Sequence, residues 1–310
     1  MAENSAIEWT HHTFNPWIGC TKVGPGCDNC YASDLATVRL GVKWGPGEER
    51  RHTAASTWKQ PRVWNRKAEA VGTRFRVFCA SLADVFDNEA PAEWRAELFQ
   101  LIRETPHLDW LLVTKRIGNA AKMAQAAGGW PSNIWLGISV VNQAEADRDI
   151  PKLLTTFGPR YRFLSMEPLL GPVHIREHWL IHHHPGDAAI DWIIVGGESG
   201  PRARPMHPDW ARSLRDQCAS VTVASGPAPV PFLFKQWGEH VTVFDRDVED
   251  PDWRKCSRWE HEHPKGRWHN LAGGTGFHGE RVVYVDRVGK KAAGRLLDGV
   301  LHDGYPGAGA

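Results

Sequence analysis

The chain has 310 residues, 42% of them hydrophobic and 24% charged, and its 37 basic residues nearly balance its 36 acidic ones. This composition describes a globular protein with enough chain for one large core, and it excludes a global attraction to nucleic acid while leaving room for a local basic patch. No apolar run reaches the ~18 residues of a membrane span, and the opening MAENSAIEWTHH lacks the basic and apolar regions of a signal peptide. A cytoplasmic protein with no membrane partner is therefore expected. Six cysteines in so long a chain argue against a disulfide framework, because the cytosol keeps thiols reduced and a large core needs no staples. Clustered thiols point to metal instead. Most of the sixteen tryptophans are assigned to the core or to groove linings.

In chain order, the first apolar run is AIEWT (6–10), read as a strand. NCYASDLATVRLG then reads as a short helix, capped by Asp28 or Asn29 and ended by Gly41. Residues 41–72, with GPGEERRHTAASTWKQP, read as a long loop suited to a lid or a substrate collar. Further buried strands follow at 75–81, 109–115, 133–139, 160–166, 191–197 and 231–237. Between them, PAEWRAELFQLIRETP sets Trp94, Leu98, Leu101 and Ile102 on one helical face, with Pro91 early and Pro106 just beyond the end. NQAEADRDIPKLLTT is helical with Pro151 as a kink or restart, and PDWARSLRDQCAS aligns Trp210, Leu214 and Cys218. Residues 171–190, carrying HHHPGD, read as an insertion. After Gly238 the alternation fades, leaving the short strand RVVYVD and the segment GKKAAGRLLDG.

Alternating strands and helices imply an α/β fold with a parallel sheet. The expected architecture is a partial or complete parallel (β/α) barrel of about six strand-helix units over residues 1–238, with a C-terminal extension over 239–310. A barrel is favoured over an open doubly wound sheet by the strand ends, which finish in polar clusters. These are Ser81 and Asp84; Thr114, Lys115 and Arg116; Ser139; Ser165 and Glu167; Glu198 and Ser199; Lys235 and Gln236. In a barrel, such carboxyl ends converge on one mouth.

The segment NPWIGCTKVGPGCDNCYA holds Cys20, Cys27 and Cys30 in C-x6-C-x2-C spacing, among glycines that let the backbone turn the thiols inward. Two centres suit three thiols. A structural zinc would need a fourth ligand, with His11, His12 or a distant residue as candidates. An iron–sulfur cubane would leave one iron open to bind something else. The positive end of the following helix would lie beside the thiolates and favour an anionic cluster. Cys79 and Cys218 read as buried small hydrophobes, and the histidines at 182–184 and 261–263 as surface residues.

A cysteine loop after the first strand, followed by a parallel barrel, resembles the radical S-adenosylmethionine superfamily. The chain is more closely similar to the phage-associated three-cysteine-motif family, through IEWTHHTFNPWIGCTKVGPGCDNCYA, SLADVFD, LLVTKR, LGISVVNQ, FLSMEPLLGPV, WIIVGGESG, KQWG and GKKAAGRLLDG. The superfamily resemblance implies that Cys20, Cys27 and Cys30 hold a 4Fe–4S cluster whose fourth iron binds S-adenosylmethionine. It further implies an external electron donor and a 5′-deoxyadenosyl radical that abstracts hydrogen from a substrate. The phage association points to a nucleotide or nucleic acid as that substrate.

The chain departs from the superfamily pattern in ways that bear on the site. The usual first gap is three, not six, and Asn29 stands where an aromatic residue is usual. Tyr31 would then either lie beside the adenine or pack the helix. A Gly-Gly-Glu motif follows the second strand in the superfamily, whereas here Gly196, Gly197 and Glu198 end the sixth. Ser81 or Asp84 is better placed to hold the methionine amine, leaving Glu198 for ribose or substrate. Lys115 and Arg116 suit a carboxylate or phosphate, or a structural ion pair with Glu167 or Glu198. Glu167, before a proline and hence at a strand terminus, could contact ribose or accept a proton. The competing function is a non-catalytic, zinc-stabilised module that binds nucleic acid through Trp-lined grooves and Arg51, Arg62 and Arg66.

Overall fold

The computed structural model describes residues 2–182, 184, 187–245, 256–275 and 281–307. Its main sheet has eight strands: β1 (Ala2–Glu3), β2 (His12–Thr13), β3 (Phe75–Cys79), β4 (Leu108–Thr114), β5 (Ile134–Ser139), β6 (Tyr161–Met166), β7 (Trp192–Gly196) and β8 (Phe232–Gln236). They lie in chain order across the sheet; β1 is antiparallel and the following seven are parallel. The order is open, with β1 and β8 at its ends, so the expected (β/α) barrel is a partial one. Every residue of β5 is buried, as a strand covered on both faces requires.

Two compact units share this chain. The first comprises Met1–Ser139, Arg148–Ser165 and His182–Trp192, and the second Val140–Asp147, Met166–Ile181 and Ile193–Ala310. In the first, helices α1 (Tyr31–Leu40), α2 (Ala55–Val71), α3 (Ala92–Arg103) and α4 (Ile117–Ala126) accompany the strands. Helix α5 (Gln143–Leu154) contains Pro151 within one continuous helix. Aromatic rings fill this unit's core: Phe14 meets Trp58 and Trp110 edge-on, with centroids 5.4 and 5.5 Å away.

Two expectations for this unit are corrected. Residues 6–10 form no strand; the pairing segment is His12–Thr13. The Thr10 hydroxyl explains the shift, since it donates to the Arg76 carbonyl at 2.8 Å and accepts from the Phe78 amide at 3.0 Å, replacing a ladder rung. The apolar signal there came from Trp9, which is buried in the core. The second correction concerns 41–72, where α2 occupies the latter half of the expected loop. Its buried residues Trp58, Pro61, Trp64 and Ala68 recur at helical spacing, and Pro61 lies on the buried face inside the helix.

The second unit carries the parallel pair β7–β8, helix α6 (Pro208–Ala219) and a three-stranded antiparallel sheet. That sheet has the order β9 (His240–Asp245), β11 (Val282–Arg287), β10 (Arg267–Asn270), so the expected RVVYVD strand is its centre. Phe244 and Tyr284 form a small core with Trp259 and Trp268. Cys79 and Cys218 are both buried, and burial pushes the Cys218 thiol up to about 12. Of the histidine runs, His182 is exposed and hydrogen-bonds Asp191, while His183 lies outside the described residues.

His207, at the N-cap of α6, lies with its ring 6.0 Å from that of His269. Burial is the main cause holding His207, His240 and His269 down at about 4, from 6.5. Below about pH 6.5 the unfolded chain takes up protons at these imidazoles that the folded unit refuses until its lower value is reached. Stability is therefore full above that pH and is lost as the pH falls toward about 4. Denaturation midpoints between about pH 7.5 and 5 are expected to drop, and the drop should shrink in His269→Gln. An unaltered pH profile in that variant would contradict the assignment.

Candidate functional site: the cysteine loop at the strand ends

The loop of residues 15–30 is fastened to the segment that leaves β3. Asn15, itself buried, accepts from the Leu82 amide at 2.8 Å and donates to Ser81 Oγ at 3.0 Å. The Gly19 amide donates to the Leu82 carbonyl at 3.0 Å, and Gly19 forms a parallel bridge with Ala83. Only glycine suits that position: φ is +118°, and a Cβ would stand 2.9 Å from Arg50 Cδ. Cys27 closes the 3-10 turn Pro25–Cys27, and Cys30 is the N-cap of α1, in place of the expected Asp28 or Asn29. Cys30, Leu35, Leu40 and Trp44 pack on a small core of Ile18, Ala32, Ala36, Val42 and Leu82.

Beneath the loop lies a buried charged network. Asp84 accepts from Thr114 Oγ1 at 2.8 Å, from the Lys115 amide at 3.0 Å and from the Phe86 amide at 2.9 Å. Arg116, just after β4, donates to Asp84 at 3.2 Å and lies 3.6 Å from Asp87. The same guanidinium reaches the loop, donating to Cys20 Sγ at 3.4 Å and to the Thr21 carbonyl at 2.7 Å. Arg50, with a fully buried side chain, spends all five N–H donors on Asp87, Glu89, Thr21 Oγ1 and the carbonyls of Gly45 and Glu48. Burial, with Asp84 next, pushes the Cys20 thiol up to about 11, while Arg116 acts in the opposite direction. Burial opposes the charge of Arg116, but Asp84, Cys20 and Asp87 together outweigh it and hold the guanidinium protonated.

The other expected residues have definite places. Tyr31 is 53% exposed at the start of α1, so it is not a core-packing residue. Ser81 receives the Asn15 amide, and Lys115 donates to Ser139 Oγ at 3.0 Å, tying the ends of β4 and β5. In the second unit, Glu167 follows β6 and accepts both-handedly from Lys235 at 2.7 Å and from Gln236 at 3.0 Å. Glu198 is held by Arg204 through its amide and guanidinium, at 2.5–2.9 Å. The Gly-Gly-Glu motif has a packing reason: a Cβ on Gly197 would lie 1.9 Å from the Trp237 carbonyl oxygen. The carboxylates expected to pair with Lys115 and Arg116 are thus matched by Lys235 and Arg204.

The two named zinc candidates are only partly engaged, and His12 Nε2 is buried with no hydrogen-bond partner. His11 Nδ1 accepts from the Arg76 amide at 2.8 Å, and His12 stacks on Trp64 with centroids 4.4 Å apart. Among the described residues, no three His, Cys, Asp or Glu side chains are grouped to hold a single ion. A tetrahedral zinc draws its ligand atoms to within about 2.0–2.3 Å of one centre. A structural zinc needs a fourth protein ligand, whereas three thiolates are a donor set that a cubane accepts with one iron left open. Sequence reasoning missed Asn15, Arg50 and Asp87, and missed the contact of Arg116 with a cysteine. Both aspartates stood in SLADVFD, but nothing local marks Arg50 as the partner of Asp87.

Fold and site together define a parallel α/β protein whose cysteine loop is docked on the carboxyl ends of its early strands. The chain belongs to the family described as "Protein of unknown function (DUF5131)", whose model matches residues 4–306. It is similar to a solved spore photoproduct lyase variant with bound AdoMet and dinucleoside spore photoproduct, at 14% identity and a TM-score of 0.40, covering 90% of this chain and 69% of that one. A second variant of that lyase gives 14% identity and a TM-score of 0.41, over 93% and 72% of the two chains. No curated protein sequence matches.

Asp84→Ala would strand Arg116, Thr114 and the Lys115 amide, and is expected to cost about 3–5 kcal/mol. Tyr31→Ala, at an exposed position, is expected to change stability by less than about 0.5 kcal/mol. Denaturant midpoints of the metal-free proteins check both, and equal midpoints for the two variants would refute the ranking.

Proposed function

We propose that this chain is a radical S-adenosylmethionine-type iron–sulfur enzyme, with Cys20, Cys27 and Cys30 as the ligands of a 4Fe–4S cluster. One observation carries the reading: the three-cysteine loop is bonded to the carboxyl ends of β3 and β4 through Gly19, Asn15 and Arg116. In parallel α/β folds that edge is where functional groups from several strands meet. The resemblance of the sequence to the radical S-adenosylmethionine superfamily supports the same reading. When bound, the cluster and S-adenosylmethionine supply one-electron cleavage of the sulfonium and a 5′-deoxyadenosyl radical for hydrogen abstraction.

The chain's own residues bind and orient. Tyr31, next to the last cysteine and exposed, offers a ring face to the adenine. The Ser81 hydroxyl, oriented by Asn15, serves the methionine amine, whereas Asp84, already engaged by four groups, acts by positioning. Lys115 spends one donor on Ser139 and has others for an anionic group. Glu167 and Glu198 belong to the second unit, where Lys235 and Arg204 neutralise them, and the reading rests on the first unit alone. The proposed substrate class is a nucleotide or nucleic acid, in keeping with the phage-associated family that the sequence resembles. The proposed setting is the cytoplasm, with an external electron donor. Among the described residues, no helix is long and apolar enough to cross a membrane.

Anaerobically purified protein is expected to be brown, with broad absorption near about 400 nm, as iron–sulfur proteins are. Reduced and supplied with S-adenosylmethionine, it should release 5′-deoxyadenosine, and Cys20→Ala, Cys27→Ala and Cys30→Ala should each abolish that product. Colourless protein carrying stoichiometric zinc after anaerobic reconstitution would sink the enzyme reading and favour a zinc-stabilised binding module.

A further inference from the structure

Arg116 stands out among the residues around the loop because it joins a sulfur to a fixed charged frame. Its side chain is only 9% exposed, and one nitrogen, Nη1, serves both Cys20 Sγ at 3.4 Å and Asp84 Oδ2 at 3.2 Å. The other, Nη2, donates to the Thr21 carbonyl at 2.7 Å and faces Asp87 Oδ1 at 3.6 Å. Asp87 is itself fixed by Arg50 at 2.8 Å, and Asp84 by the Thr114 hydroxyl and two backbone amides. The planar fork therefore cannot turn away from Cys20 without breaking bonds on both sides. Arg50 makes an instructive contrast: fully buried in the same network, it bonds only oxygens.

We propose that Arg116 is the positioning residue that sets the reduction potential of the metal centre held by Cys20, through its N–H···S bond. The inference rests on the cluster reading given above. On reduction, one electron from the reductant enters the cluster, which with its thiolates becomes more negative by one charge. A hydrogen bond from a cation to a ligand sulfur is stronger in that more negative state, so it stabilises the reduced form and raises the potential. Lysine keeps the charge but loses the fork, so it cannot hold Cys20 Sγ, the Thr21 carbonyl and both aspartates together. Glutamine loses both. Substituting Arg50 loosens the loop without removing a bond to sulfur.

The test is an EPR-monitored titration of reconstituted full-length protein with dithionite, with iron and sulfide content measured on each sample. Arg116→Lys and Arg116→Gln are expected to shift the midpoint to more negative potential, the Gln variant further, while Arg50→Lys stays at the wild-type value. A second measurement needs no variant: in wild-type protein labelled with nitrogen-15 arginine, pulsed EPR of the reduced cluster should detect a nitrogen-15 coupling. Wild-type potentials in both Arg116 variants, or no coupling in a cluster-bearing wild type, would overturn the role of Arg116 and leave the cluster standing. Wild-type protein that takes up no iron and sulfide would instead remove the cluster reading and this inference with it.

Discussion

The contact between Asp84 and Arg116 ties together three parts of the chain that sequence separates widely. Asp84 lies just beyond β3, Arg116 just beyond β4, and the guanidinium continues to Cys20 and Thr21 in the N-terminal loop. A buried ion pair is weak evidence for stability, because desolvating both charges offsets most of their attraction. Here the offset is met by hydrogen bonds: the carboxylate also takes the Thr114 hydroxyl and the amides of Lys115 and Phe86. What the pair contributes is a single arrangement of two strand ends and a loop. A loop with three thiols, several glycines and a small core of its own could otherwise settle in several ways.

Much of the fold was legible because buried parallel strands are written locally. Runs such as DWLLVTK and DWIIVGG carry an uninterrupted apolar centre, and the observed β4 and β7 fall within one residue of the expected ends. The failures have local causes of a different kind. Trp9 gave an apolar signal without a ladder, because the Thr10 hydroxyl takes the backbone groups that would have paired. Pro61 hid a helix whose buried face it helps to form. The open sheet order could not be told from a closed one by periodicity, since each strand looks the same in both.

What the sequence leaves open about the proposed site is its connectivity. The expectation of a metal centre rests on the spacing of three cysteines, and that of a functional edge on polar residues at the strand ends. Which cation meets which anion is a long-range fact. Lys115 and Arg116 are neighbours, yet one turns to Ser139 and the other to Asp84, Asp87 and Cys20. Glycines behaved similarly: Gly197 belongs to a motif suggestive of ligand binding, but its lack of a Cβ is required by the Trp237 carbonyl.

The six-residue gap between Cys20 and Cys27 has a physical account in the same network. A shorter gap would bring the thiols together with little chain left over. Here the intervening residues are anchored: the Thr21 carbonyl takes Arg116, its hydroxyl takes Arg50 and donates to Glu89, and Lys22 donates to the Asp28 carbonyl at 2.9 Å. Pro25, Gly26 and Cys27 then form a 3-10 turn that delivers the second thiol. The added length therefore acts as a brace rather than slack. It fixes Cys20 against a guanidinium frame, while the Cys27 and Cys30 pair is fixed by the turn and by the start of α1. Two independent supports for the three thiols are a reason for the first gap to differ while the last gap keeps its two residues.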